Sequence, residues 1–279
     1  MPPAGKVDYI VPTWNSARTL ERSLASIEAH GNPDRIIIVD NESTDRTLEI
    51  AGRHGCVVLK DTVSLGSARK TGLLEARTEW IGFVDSDVVL CRDWYDRILR
   101  FMDDRTGGIH GDKLPDWEPY RSAHRATMAQ AFADGPLRKG VGDRGFTDNT
   151  LVLRKVALKA DIESVNAFED MLITQAVVAE GLEWLHVPVF VDHHEKWETF
   201  IKKPGWHSAG LKWLLARGEI STGRFMRELL LKNSAWYVLD GVKKTMEFHD
   251  GKLLRMRLAQ LCYLWIGLVR SERMFQLER

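Results

Sequence analysis

The 279-residue chain carries 39 basic and 39 acidic side chains, a formal net charge of zero at pH 7. That balance leaves no global basic field, so nucleic acid is not an expected partner. The length suits one large α/β domain, or one domain with a helical extension. Cys56, Cys91 and Cys262 are widely spaced and odd in number. They suggest neither a disulfide framework nor a zinc knuckle, and they suit a reducing compartment. The opening MPPAGKVDYIVPTWN lacks a basic stretch followed by a long apolar core, so no signal peptide is expected. The apolar run 258–269 is interrupted by Gln260 and is too short to span a bilayer. A soluble or membrane-peripheral protein is the expectation.

Residues 7–12 read as a short strand ended by proline, and Thr13-Trp14-Asn15 follows as a polar turn. Ser16 is placed to cap a helix whose Leu20, Leu24 and Ile27 fall at helical spacing, ending at Gly31-Asn32-Pro33. Residues 35–39, RIIIV, form a buried strand that runs into Asp40-Asn41-Glu42-Ser43-Thr44-Asp45, and a helix carrying Leu48 and Ile50 comes next. Residues 56–59 are a third strand, and Gly66-Ser67-Ala68-Arg69-Lys70 opens a third helix. A fourth strand, Trp80–Val84, stops at Asp85-Ser86-Asp87. This β-α-β-α-β-α-β order predicts a parallel sheet covered by helices.

No G-x-G-x-x-G follows the first strand, which lowers a dinucleotide-binding reading. Three strand ends instead carry polar residues that would line one crevice: Thr13 and Asn15, Asp40 and Asn41, Asp85 and Asp87. Two carboxylates one residue apart at a strand's carboxyl end can hold a divalent cation, and that cation can hold a diphosphate. The bland alternative is a polar strand-to-helix turn with Asp as the cap. Convergence of three such ends favours a nucleotide site.

Taken together, Val11-Pro12-Thr13-Trp14-Asn15, Val39-Asp40-Asn41-Glu42-Ser43-Thr44-Asp45, Gly66-Ser67-Ala68-Arg69 and Asp85-Ser86-Asp87 resemble family 2 glycosyltransferases. Phe168-Glu169-Asp170 is similar to the E-D motif of that family, and His193-His194 to its late metal-proximal histidine. The resemblance covers about residues 7–195. It implies an α/β GT-A (Rossmann-like) fold, a mostly parallel sheet flanked by helices. A catalytic domain over 1–195 would divide into a nucleotide-binding half, about 1–102, and an acceptor half, about 103–195. Residues 196–279 would form a helical C-terminal extension.

The implied activity is transfer of a hexosyl group from a UDP- or GDP-sugar to an acceptor hydroxyl or lipid phosphate, with inversion by single displacement. A divalent metal is implied, and oxygen ligands suit Mn²⁺ or Mg²⁺ without choosing between them. By similarity, Asp87 binds the metal directly, and Asp85 reaches the metal, a metal-bound water or the ribose. Pro12, Thr13, Asn15, Asp40, Asn41 and Ser86 would bind the nucleotide-sugar, with Arg69 near the base or diphosphate. Many relatives have a second Asp where this chain has Asn41, and an amide donates as well as accepts, so the base is left open. Asp170 is the candidate general base, supported by Glu169. The alternative for both is a pair of N-terminal helix acids favoured by the macrodipole. Alternation along the strand sends the two late histidine rings to opposite faces, and His193 is taken as the metal-facing one.

Residues 103–147 show little periodicity after a helix near 94–102. A helix is expected over 123–132, with His124 and Arg125 exposed. By family analogy this region shapes the acceptor site. Asp148 and Asn149, ahead of a strand, would contact donor-sugar hydroxyls. From Trp197 the composition shifts: Trp197, Trp206, Trp213, Trp236 and Trp265 alternate with lysine and arginine. Two or three amphipathic helices are expected, the last over 253–269. Such helices either cover the sheet or touch a membrane surface where a glycan or lipid-linked acceptor waits, in a cytoplasmic setting. Other readings are a retaining GT-A transferase, a sugar nucleotidyltransferase and a non-catalytic nucleotide-sugar binding module. A nucleotidyltransferase would carry a Gly-rich basic loop after the first strand, which residues 11–16 lack. A silent module would be expected to lose the paired acids or the late acid, and both are present.

Overall fold

The structure, a computed structural model, describes residues 3, 5–140, 142–165, 167–218, 220–227 and 233–269. The end of the expected extension, 270–279, and the Trp206 side chain lie outside the described residues. Strands and helices alternate from the start: β1 (Val7–Thr13), α1 (Leu20–His30), β2 (Pro33–Asp40), α2 (Thr47–Arg53), β3 (Val57–Lys60), α3 (Leu65–Glu75) and β4 (Trp80–Val84). The four strands pair in parallel in the order β3-β2-β1-β4. Ile36 to Val39 and all of β4 are buried, as continuous apolar strands covered on both faces must be. Leu20, Leu24 and Ile27 of α1 and Leu73 of α3 close the same core.

Two helix starts differ in kind. The α3 start has a side-chain cap, with Ser64 Oγ accepting from the Ser67 amide at 2.9 Å. Ser16 does not cap α1 through its side chain. Its carbonyl accepts from the Thr19 and Leu20 amides, each at 3.0 Å, and the helix begins at Leu20. The Ser16 hydroxyl meets Ser86 Oγ instead, at 2.9 Å.

The chain continues through β5 (Val88–Val89), α4 (Trp94–Leu99), β6 (Thr106–Pro115), α5 (Tyr120–Ala131), β7 (Leu137–Lys139), β8 (Asn149–Leu153), α6 (Arg154–Ala157), α7 (Glu169–Ala179) and β9 (Glu183–His193). The sheet extends as β4-β8-β6-β9-β5, and β7 also pairs with β9. β8 is antiparallel to both β4 and β6, while β6 and β9 are parallel to each other. β6 and β9 therefore run in the sense of β1 to β4, and the sheet is mixed but mostly parallel.

β6 corrects the expectation of an aperiodic middle. Its sequence, TGGIHGDKLP, shows no alternation because nearly every residue is buried. Its glycines answer to the neighbouring strand. A Cβ at Gly108 would come 2.3 Å from Trp184 Cε3, and one at Gly111 would come 2.3 Å from the Val189 carbonyl oxygen. α5 starts three residues before its expected position, and His124 is half-buried while Arg125 is exposed.

The chain divides into two compact units. One comprises the chain up to Asp116 with Arg125–His194, and the other comprises Trp117–His124 with the chain from Glu195 onward. The second contains α8 (Trp197–Ala216), α9 (Thr222–Met226), α10 (Ala235–Phe248) and α11 (Gly251–Val269), with α11 packed on both α8 and α10. Trp197 and Trp236 stay partly exposed but are engaged locally. The Arg257 guanidinium lies 4.4 Å from the Trp236 ring centroid, and Trp197 meets Trp117 edge to face at 5.1 Å. No helix among the described residues is long and apolar enough to cross a membrane. All three cysteines are free.

Candidate active site

Parallel pairing brings the carboxyl ends of β1, β2 and β4 to one edge of the sheet. Thr13 Oγ1 donates to Asp40 Oδ1 at 2.7 Å. Ser43 donates to the same carboxylate twice, through its hydroxyl at 2.6 Å and its amide at 2.8 Å. Asp40 is buried, and both its oxygens are held inside the chain. Asn15 takes a left-handed backbone, φ 47°, and its Oδ1 accepts from the Thr44 amide at 2.9 Å. The Asn41 amide donates to the Thr13 carbonyl at 2.9 Å, leaving its side chain half-buried, and Pro12 lies opposite Val39 in the sheet. These residues build one wall of a crevice.

The second wall is a network of acids and cations. Arg69, on α3, is 2% exposed; Nη1 reaches Glu169 Oε1 at 2.5 Å, and Nη2 reaches Asp85 Oδ1 at 2.8 Å. Phe168 turns into α7 with φ 71°, which sets Glu169 and Asp170 in the first helical turn, both buried. Arg144 Nε donates to both Asp170 oxygens, at 2.8 and 2.6 Å. The Asp85 amide donates to the Asp148 carbonyl at 3.2 Å, joining the end of β4 to the start of β8. Asp148 is ion-paired with Lys113. Asn149 is fully buried, accepting from the Gly111 amide and donating to Asp148 Oδ1, each at 2.8 Å. That placement gives Asn149 a structural part between β6 and β8.

The two late histidines separate as strand alternation requires. Pairing of Val88 with His193 brings β9 beside the Asp85-Ser86-Asp87 turn, and His193 Nε2 stands 3.4 Å from Asp87 Oδ2. His194 turns away: its Nδ1 lies 2.7 Å from Asp116 Oδ2, and its carbonyl accepts from Arg18 Nη2 at 2.5 Å.

Five carboxylates, Asp85, Asp87, Asp148, Glu169 and Asp170, thus share one electrostatic neighbourhood with three cations, Arg69, Lys113 and Arg144. At full ionisation these acids outnumber the three cations by two, before any charge on His193, which stands beside Asp87. The crowding shows in the acids. Burial raises the pKa of Asp85, with the Asp148 and Asp87 charges adding to it against the pull of Arg69. Burial likewise raises Glu169, with Asp170 adding and Arg69 opposing. Burial would raise Asp148 too, but Lys113 overrides it and holds that carboxyl well below the usual range. Asp87 and His193 stand close enough to share one ion, and an oxygen with an imidazole nitrogen suits Mn²⁺ or Mg²⁺ when phosphate oxygens and water complete the sphere. Among the described residues, no group of three or more His, Cys, Asp or Glu side chains is arranged to hold a metal. Asp87 and His193 could therefore supply only part of a metal's coordination sphere.

Sequence reasoning passed over Lys113, Arg144, Asp116 and Ser43. No motif marks Lys113, Arg144 or Asp116, and Ser43 lies in the quoted stretch 39–45 with no role assigned to it there. The one available signal was arithmetic: clustered buried acids demand cations, and the unassigned stretch 103–147 had them to give.

The model of glycosyl transferase family 2 matches residues 8–155, more than half of the chain. The chain belongs to that family. Among curated relatives, the putative glycosyltransferase EpsH of Bacillus subtilis is 26% identical over 163 residues, 54% of this chain and 47% of that protein. An uncharacterized glycosyltransferase of Mycobacterium tuberculosis is 38% identical over 82 residues, 29% of this chain and 36% of that protein. The matches thus span about half or less of these relatives' own length. Among solved structures, the mannosyltransferase PcManGT from Pyrobaculum calidifontis, in complex with GDP-Man and Mn²⁺, superposes with a TM-score of 0.67 at 16% identity, covering 98% of this chain and 88% of that one. Glucosyl-3-phosphoglycerate synthase from Mycobacterium tuberculosis, in complex with Mn²⁺, UDP and glucosyl-3-phosphoglycerate, superposes with a TM-score of 0.56 at 18% identity, covering 78% of this chain and 81% of that one. At these identities the likeness is one of fold, and the fold is GT-A.

Proposed function

We propose that this family 2 chain transfers a hexosyl group from a nucleoside diphosphate sugar to an acceptor hydroxyl, with a divalent cation at Asp87 and His193. The observation that carries the reading is the network at the strand ends, richer in acids than in cations, with an Asp–His pair 3.4 Å apart at its edge. A bound cation supplies Lewis-acid stabilisation of the departing diphosphate, worth several kcal/mol. The chain's own residues do the positioning. Arg69 orients Asp85 through Oδ1, leaving Oδ2 for a ribose hydroxyl or a metal-bound water. The half-buried Asn41 side chain reads the nucleoside, UDP or GDP, with Thr13, Asn15 and Asp40 shaping the wall behind it.

Asp170 takes the acceptor proton on one carboxylate oxygen as the acceptor oxygen bonds to the anomeric carbon. The bond from that carbon to the diphosphate breaks, and its electron pair leaves with the diphosphate. Attack opposite to departure inverts the carbon. Arg144 holds both Asp170 oxygens through one Nε, so it yields one of them to the acceptor. The known ligands of the solved relatives, GDP-Man in one and UDP in the other, support a nucleotide-sugar donor.

A thermal-shift screen of UDP-, GDP- and dTDP-sugars, with and without Mn²⁺ or Mg²⁺, tests the reading, because a ligand of the native state raises apparent stability by mass action. A metal-dependent shift with one nucleotide is the expected result. Equal shifts with and without metal would remove the cation from the mechanism.

A further inference from the structure

A general base needs an open oxygen, and Asp170 has both of its oxygens engaged. Arg144 Nε donates to each, at 2.8 and 2.6 Å. The arginine side chain keeps 28% of its surface exposed against 4% for the aspartate, so the guanidinium covers the carboxylate on its solvent side. Asp170 Oδ1 also accepts from the Met171 amide at 2.7 Å, a bond set by the first turn of α7, so Oδ2 is the oxygen that the guanidinium can give up. A carboxylate held in this way is a poor proton acceptor, because its charge is already engaged in charge-assisted bonds.

The arginine is fixed from its backbone outward. The Gly145 amide donates to Thr174 Oγ1 at 3.0 Å, and that hydroxyl donates to the Asp170 carbonyl at 2.7 Å, so the chain beside Arg144 is tied to the turn that carries Asp170. A Cβ at Gly145 would come 2.3 Å from Trp184 Cε2, so glycine permits this approach. On the other side of the arginine, the Gly140 amide donates to Asp143 Oδ2 at 2.9 Å and closes a turn. Phe146 and Phe168 flank the guanidinium, with ring centroids 5.6 and 4.9 Å from Cζ. An aromatic face attracts a cation with little demand on direction, so the guanidinium can shift along these rings and keep their support.

We propose that Arg144 is a specificity-determining residue, which keeps Asp170 from activating water while the acceptor site is empty. The inference rests on the transferase reading. Water is the competing nucleophile: its oxygen would bond to the anomeric carbon, and one of its protons would pass to Asp170. The bond from that carbon to the diphosphate would break, its electron pair leaving with the diphosphate, to give free sugar and nucleoside diphosphate. A water molecule makes too few contacts to displace a guanidinium from two charge-assisted bonds. An acceptor binds through the rest of its surface as well, and that binding energy frees Oδ2.

Hydrolysis of UDP-glucose, UDP-N-acetylglucosamine and GDP-mannose with Mn²⁺ and no acceptor tests this, with donor binding read by calorimetry and free sugar by chromatography. The unmodified protein should bind a donor and hydrolyse it slowly. Arg144→Met should raise kcat for hydrolysis by roughly tenfold or more with the donor KM nearly unchanged, whereas a merely structural role would lower kcat or raise KM. Arg144→Lys keeps a counter-charge beside the buried carboxylate, which protects the fold, and should give an intermediate rate. Arg144→Met/Asp170→Asn should return hydrolysis to the unmodified level or below. Hydrolysis no faster in either single variant than in the unmodified protein overturns the proposal. So does a rise that persists in the double variant, since that marks a loosened site and not a released base. Both outcomes are read with donor bound, which separates them from failure of the transferase reading. No binding of any donor overturns that reading, and this inference falls with it.

Discussion

Asp170 cannot accept a proton through an oxygen that a guanidinium already holds without loosening that bond, so its chemistry and that of Arg144 are tied together. Asp170→Asn keeps the shape and removes the carboxylate proposed as the base. Turnover should fall by roughly 10²-fold or more while donor affinity stays near that of the unmodified protein. Single-turnover kinetics beside donor titration would separate the two, and near-normal turnover would place the base elsewhere. Asp87 is proposed for the other half of the reaction, at the cation. Asp87→Ala should remove the metal-dependent part of donor binding, and unchanged affinity with full metal dependence would sink its assignment as a ligand. Arg69 acts at yet another level. It is buried against Glu169, so Arg69→Met strands a carboxylate in the interior at a cost of about 3–5 kcal/mol. Urea denaturation would show this, and Arg46→Ala is the control. Arg46 pairs with Glu49 in full exposure, and its loss should leave the midpoint unchanged.

At the level of elements, β6 and β9 carry a buried pair of stacked imidazoles. His110 and His186 have ring centroids 4.2 Å apart at 17°, and neither Nε2 has a hydrogen-bond partner. Burial pushes His110 down to about 3 and His186 down to about 2. Both are neutral in the fold, whereas an unfolded histidine titrates near 6.5. The unfolded chain therefore binds more protons below that value, so the full contribution to stability is present above it and is lost as the pH falls. Two such groups predict a loss of about 3 kcal/mol between about pH 6.5 and about pH 5, above the range of most carboxylates. His186→Phe should roughly halve the slope in urea-denaturation curves taken across that window. A slope that does not change would mean that other groups set the acid limit. The same strands show what could be read from sequence. β1, β2 and β4 were legible because each carries an unbroken buried apolar run, residues 9–11, 36–39 and 80–84. β6 was not, since it is equally buried but built from glycine, histidine, aspartate and lysine, chosen to fit Trp184, Asn149 and Asp148. Propensity cannot register a partner that lies far along the chain.

For the whole molecule, zero net charge conceals an uneven distribution. Asp85, Asp87, Glu169 and Asp170 stand out in sequence because each sits in a short local motif at the end of a strand or the start of a helix, and Asp148 directly precedes β8. Their counter-charges come from distant segments: Lys113 is 35 residues from Asp148, and Arg144 is 26 residues from Asp170. Only the assembled sheet brings them together, and only then does a deficit of positive charge become visible. That deficit makes a prediction independent of any sugar donor. Mn²⁺ or Mg²⁺ alone should stabilise the native protein, since the unfolded chain disperses the acids and binds the ion poorly. At free metal near one hundred times its dissociation constant the gain is about 2.7 kcal/mol, readable as a rise in Tm. Potassium chloride at matched ionic strength should not reproduce it, because screening weakens all pairs and fills no site. Asp87→Ala should lose most of the gain. If potassium serves as well as manganese, or the variant keeps the full shift, the charge deficit is met by diffuse counter-ions and the Asp87–His193 pair holds no metal.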